Sequence, residues 1–264
     1  MRSGEVQLEV PEPGNGVTLT ALGATGNEAS FQLFVSDDGR IQYPEPEEFN
    51  TGDAEASTSA VPSACDDSAY ALLTYEWFGH PYKWYLGDGG NPGGMNDDDT
   101  ALAFADAINN ITRSTNDCGL ADEVSAERDY QGLTTTEADI SPTEAKCLPR
   151  DGTSTWDGGD LISDWVAVTC TFSEPSGSAR WLSVESDVRY NTTDYDFTNE
   201  GGSATCSYKI DLRETGTHEA GHVFGLDHPG AGHDNLTMHA NSFWCSTSKR
   251  TLGRGDVLGL RALY

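Results

Sequence analysis

The stretch THEAGHVFGLDHPG (residues 217–230) sets three of the chain's six histidines four and then six residues apart, with a glutamate after the first and a glycine between the last two. Residues four apart lie one above the other on a helix face, so His218 and His222 can present two imidazoles to one point. Glu219 projects about 100° further round the same turn, beside that point. Gly225 suits the end of this helix, where the reversing residue needs a positive φ that glycine adopts cheaply. The chain can then fold back and bring His228 to the same point. Three neutral imidazoles on one centre leave a fourth position for water, the arrangement of a catalytic zinc site rather than a closed structural one. Glu219 is then the expected general base acting on that water. A chance match to these offsets is on the order of one in 10⁵ for a chain of this length, which sets aside a surface accident. Metal binding without catalysis is the alternative.

His-Glu-x-x-His-x-x-Gly-x-x-His is the zinc signature of the metzincin metallopeptidases, and the chain resembles that family. Members carry a methionine turn below the metal. NLTMHANS (235–242) supplies Met238 ten residues after His228, which is similar to the short spacing of the matrixin branch, in its bacterial or archaeal form. The closing RTLGRGDVLGLRALY (250–264) resembles the C-terminal helix of matrixin-like bacterial proteins, in which an acidic residue supports the methionine turn; Asp256 is the matching position. The resemblance is specific over about 205–264, is a secondary-structure match over about 65–204, and does not reach the first 64 residues. It implies an α+β fold: a twisted mixed sheet, two main helices, and a small irregular C-terminal subdomain ending in a helix. It also implies a zinc endopeptidase with a protein or peptide substrate. Ala240 stands where some metzincins place a tyrosine ligand, so no such ligand is expected. No histidine lies between His80 and His218, which argues against the second zinc of animal matrixins. KCLPRDG (146–152) has the letters of the matrixin latency cysteine in the wrong order, so Cys147 is read as a disulfide partner.

The formal charge of −28, from 43 acidic and 15 basic side chains, argues against nucleic acid or an anionic membrane as partner. It serves solubility, or favours cationic substrates at low salt. No segment approaches the ~18 apolar residues of a membrane span. MRSGEVQLEV has one arginine and no apolar run of seven, so it is not read as a signal peptide. Six cysteines without a Cys-x-x-Cys pair suggest three disulfides in a secreted, extracellular protein, with fifteen pairings open. The matrixin-like layout implies Cys118–Cys147, Cys170–Cys206 and Cys65–Cys245. A monomer is expected.

Residues 1–43 hold short β-like runs, VQLEV, GVTLTAL and SFQLFV, too small for a core of their own, and are read as an N-terminal extension or propeptide remnant. PEPEEFNTGDAEASTSAVPSA (44–64) reads as an acidic linker and a cleavage site. The catalytic domain is then 65–264. Strands are expected at 82–88, in AERDYQGLT and ADI, and at 164–172 and 181–191. A helix is expected over 97–112, with Ala101, Phe104, Ala105 and Ile108 on its packed side. An extended peptide is expected to bind along a strand edge within 164–172 or 181–191. NDDDT (96–100) and WDGGD (156–160) are candidate sites for a structural calcium, weighed against solvated loops. His80 is read as a satisfied structural residue, and His233 and His239 as flanking the methionine turn.

Overall fold

A computed structural model describes residues 6–24, 28–51, 61–162 and 165–264. Among the described residues nine strands form one sheet: β1 (Asn15–Gly23), β2 (Glu28–Val35), β3 (Ile41–Gln42), β4 (Tyr75–Glu76), β5 (Tyr82–Leu86), β6 (Arg128–Leu133), β7 (Thr155–Gly159), β8 (Trp165–Pro175) and β9 (Trp181–Asn191). Their spatial order is β3-β2-β1-β8-β9-β7-β5-β6, with β4 beside one end of β9. β9, β7, β5 and β6 run parallel, while β8 is antiparallel to β9 on one side and to β1 on the other. β8 and β9 are rich in the β-branched and aromatic residues that fit a pleated, buried surface.

Helices α1 (Asp97–Thr112) and α2 (Leu212–Val223) lie side by side on one face of the sheet, and α3 (Arg254–Leu263) closes the chain. The side chain of Asn96 caps α1, and Asp97, Asp98 and Asp99 face its positive end. Its buried stripe is Ala103, Phe104, Ala107, Ile108 and Ile111. The expected Ala101 and Ala105 are only half-buried, because the helix is rotated to set Ala107 against α2. Gly216 of α2 makes that approach possible: a Cβ there would stand 2.8 Å from the Cβ of Ala107. Phe104, Ile108, Trp84, Trp156, Val188, Tyr190, Ala220 and Val223 form the core between helices and sheet. A second core on the opposite face gathers Val17, Leu19, Leu33, Val35, Ile140, Cys147, Val168, Cys170 and Phe172. Among the described residues the architecture is α+β, with a large mixed sheet and three α-helices.

Several expectations are corrected. The described residues of 1–43 do not stand apart as an extension: β1 pairs with β8 from Gly16 to Gly23, and its Val17, Leu19 and Ala21 share the second core. Too small to bury its own apolar side chains, the segment buries them in the main sheet. The linker assigned to 44–64 contains a strand, Glu47–Phe49, paired with Tyr70–Leu72; its residues 52–60 lie outside the described residues. Neither proposed peptide-binding edge is free, since β8 lies between β9 and β1, and β9 between β8 and β7. WDGGD lies mostly in β7, and ADI makes only an isolated bridge at Ile140. The disulfides join Cys65 to Cys118, Cys147 to Cys170 and Cys206 to Cys245, so all three expected pairs are replaced by neighbours in sequence. Proximity decides this: each observed pair has Cα atoms 5.1–5.7 Å apart, within the reach of a disulfide. No helix among the described residues is long and apolar enough to cross a membrane.

Candidate metal centre

Asp211 caps α2, its carboxylate accepting from the Glu214 N–H at 2.9 Å, and the helix runs through His218, Glu219 and His222. Tyr75 Oη donates to the His222 carbonyl at 2.6 Å and the Trp77 indole to the Val223 carbonyl at 2.8 Å, which satisfies two acceptors of the last turn. Gly225 then takes φ +88°, and a Cβ there would lie 2.7 Å from the Tyr75 carbonyl oxygen. The reversed chain pairs Leu226–Asp227 with Ala71–Leu72 and brings back His228.

The three imidazoles meet through their Nε2 atoms: 3.0 Å from His218 to His222, 3.2 Å from His218 to His228 and 3.1 Å from His222 to His228. Nδ1 of His218 lies 2.9 Å from the Thr237 carbonyl and Nδ1 of His222 2.9 Å from the Leu226 carbonyl. A carbonyl only accepts, so each Nδ1 carries the proton and each Nε2 offers a lone pair. Burial, reinforced at His218 and His228 by the neighbouring rings, holds both well below the usual histidine range; burial lowers His222 to about 4. The rings are therefore neutral at pH 7, and His218 and His222 turn two Nε2 lone pairs toward Nε2 of His228. That arrangement fits a cation. Nitrogen donors at 2.0–2.1 Å in a tetrahedral shell stand roughly 3.3 Å apart, close to the spacing observed.

Glu219 is fully buried, with Oε2 accepting from Thr169 Oγ1 of β8 at 2.6 Å and Oε1 without a protein partner. Burial pushes its carboxyl up to about 8, against the lowering effect of the Thr169 hydroxyl. Met238 packs beneath α2 at Gly221, where a Cβ would be 2.2 Å from its sulfur. Asp256 accepts from the backbone N–H of Thr237 at 2.9 Å, of Met238 at 3.2 Å and of Gly253 at 2.8 Å. Asp256 thus fixes the turn whose Thr237 carbonyl orients His218. The sequence offers no sign of Thr169, Thr237 or Tyr75; only the alternation of β8 shows that Thr169 shares a face with Thr171.

The other candidates are placed elsewhere. His233 meets Asp67 at 2.9 Å and His239 meets Asp234 at 2.9 Å. His80 is exposed, set against Trp77 edge to face, with Nδ1 3.4 Å from the Pro81 carbonyl oxygen. In 96–100 the side chains cap α1, and in 156–160 Asp157 is buried in an ion pair with Arg189 at 3.0 Å, so neither stretch gathers calcium ligands. Among the described residues a second carboxylate convergence lies on the far face of the sheet: Asp139, Glu185 and Asp187, with oxygens within 4.8 Å of one another. Backbone N–H groups of Asp151, Gly152 and Thr155 donate to it. A cavity of about 400 Å³ lies between Glu9–Val17 and Cys147–Arg150 and includes no histidine. No protein-family model and no curated protein matches the chain.

Proposed function

We propose that the chain is a secreted, monomeric zinc endopeptidase of metzincin type, with the catalytic residues in 65–264. One observation carries the proposal: three buried imidazoles converge with their Nε2 atoms within 3.2 Å of one another, and a glutamate follows the first of them on the same helix turn. Three neutral imidazoles suit zinc, and a purely structural site has no use for the buried Glu219 beside them. Met238 under α2 and Asp256 under the turn match the family's supports, and three disulfides fit an oxidising compartment.

His218, His222 and His228 would hold the metal. Zinc in that place supplies Lewis acidity, which polarises a peptide carbonyl and acidifies a water. Glu219 takes the water's proton and hands it to the leaving amine, while Thr169 holds the carboxylate's other oxygen in place. Buried carbonyls of Thr237 and Leu226 fix two of the rings and keep their Nε2 atoms unprotonated.

Glu219→Gln tests this. The amide is nearly isosteric, so zinc content and melting temperature are expected to stay near those of the unsubstituted chain. Hydrolysis of a denatured protein such as casein is expected to fall at least a hundredfold, since a general base is worth about 10²–10⁴ in rate. Equal cleavage by both proteins would remove Glu219 from the chemistry. Absence of cleavage by either, with zinc bound, would leave a non-catalytic zinc protein of the same fold.

A further inference from the structure

Glu185 and Asp187 stand two residues apart on β9 and so share one face of the strand, where their cross-strand neighbours Phe172 and Cys170 belong to the second core. They are 1% and 0% exposed, and the half-buried Asp139 meets them on the solvent side. The turn that leads into β7 wraps these carboxylates in backbone N–H groups. That of Asp151 donates to Asp139 Oδ2 at 2.8 Å and to Glu185 Oε1 at 3.1 Å, that of Gly152 to Glu185 Oε2 at 2.7 Å, and that of Thr155 to Asp187 Oδ1 at 2.9 Å. Oδ2 of Asp187 is buried and has no partner. A proton placed on it would itself lack an acceptor.

No positive side chain answers this charge. Arg189, the next residue on that face, is held by Asp157, Glu137 and the Ile140 carbonyl, and Arg150 pairs with Glu174. Among the described residues no lysine or arginine forms an ion pair with Asp139, Glu185 or Asp187. Buried carboxylates left without a cation are costly. We propose that Asp139, Glu185 and Asp187 hold a calcium ion that clasps the 151–155 turn and Asp139 onto β9. The site is separate from the three histidines and independent of the peptidase reading. None of its ligands lies in NDDDT or WDGGD, or in 205–264, where the resemblance to the metzincins is specific. An all-carboxylate set selects a hard cation. Calcium takes about six to eight oxygens at about 2.3–2.6 Å, in a shell roughly 5 Å across. Oxygens within 4.8 Å of one another fit inside that shell. Magnesium demands a tighter octahedron, at about 2.0–2.1 Å, and the backbone N–H groups that hold the carboxylates resist such a contraction. The open side at Asp139 admits the ion and the waters that complete its shell.

The experiment uses the full chain, stripped of metal and given back one equivalent of zinc, in about 0.2 M sodium chloride so that screening is already complete. It is titrated with calcium chloride by calorimetry and melted with and without about 1 mM calcium. The calcium-free chain, in which Asp139 binds a proton more readily than an ordinary carboxyl, is the reference, at about pH 8. One calcium is expected to bind with a dissociation constant on the order of 10⁻⁵ M and to raise the melting temperature by about 5–10 °C. Asp187→Asn and Asp139→Asn are each expected to weaken calcium binding at least about tenfold and to remove most of the rise, with zinc content unchanged. Asp139 sits at the open side, so its variant reports on the site without disturbing the buried pair. The inference fails if no calcium binds below about 1 mM, or if either variant keeps the native affinity. It fails equally if magnesium, or sodium chloride at the same ionic strength, raises the melting temperature as much as calcium does.

Discussion

Asp256 shows how much of the centre rests on a side chain that touches no histidine. Its carboxylate satisfies three buried N–H groups, and one of the residues it holds, Thr237, orients His218 through its carbonyl. In Asp256→Asn one carboxylate oxygen becomes an NH₂ group, so at least one of those donors faces another donor. Leaving a buried donor unmet costs about 1–3 kcal/mol, and losing a partner that orients a ligand typically weakens metal affinity by about 10–100-fold. The variant is expected to melt lower and to release zinc to a chromogenic chelator at correspondingly lower competitor concentration. A lower melting temperature with unchanged zinc affinity would confine Asp256 to the fold. The histidines, Glu219 and Gly225 were legible in the sequence because helix periodicity and one glycine turn bring all of them together within eleven residues. Thr169 was not, because its contact with Glu219 spans 50 residues and exists only once β8 lies over α2.

Among the elements, β7 was hidden by its composition. Thr-Trp-Asp-Gly-Gly reads as a turn or a cation loop, yet it pairs with β5 on one side and β9 on the other. Its glycines answer to crowding: a Cβ on Gly158 would lie 2.7 Å from the Gly90 carbonyl oxygen, and one on Gly159 3.2 Å from the Arg189 side chain. On the same face of β9, Glu185 and Asp187 meet Asp139, a cluster the sequence did not reveal because its members come from separate segments. Burial and then the charges of Asp151 and Glu185 push Asp139 up to about 7; burial also raises Glu185 and Asp187. A carboxyl whose pKa is raised by folding binds more protons folded than unfolded between about pH 4 and its folded value. Its contribution to stability is therefore greatest at low pH and is lost as pH rises toward 7. Asp139→Asn removes that titration, so the melting temperature of the variant relative to the unsubstituted chain is expected to climb between pH 5 and pH 8. A difference that stays constant across that range would show that Asp139 ionises alike in both states.

Over the whole molecule, the strands of the N-terminal segment were visible as alternating runs, but their partner was not. Nothing local in GVTLTAL says that it completes the sheet beside β8, and nothing in cysteine spacing says that each cysteine finds the next one along the chain. The charge, by contrast, is legible without a fold and has a whole-molecule consequence. With a net −28 the folded chain concentrates like charges that the unfolded chain spreads apart, so self-repulsion opposes folding. Screening relieves this as the Debye length shrinks from about 30 Å at 0.01 M salt to about 8 Å at 0.15 M. The melting temperature is expected to rise with sodium chloride, with most of the gain below about 0.2 M. A rise confined to molar salt would reflect exclusion of salt from the surface rather than screening. A flat profile would show that the acidic side chains are far enough apart, or paired well enough, to cost the fold nothing.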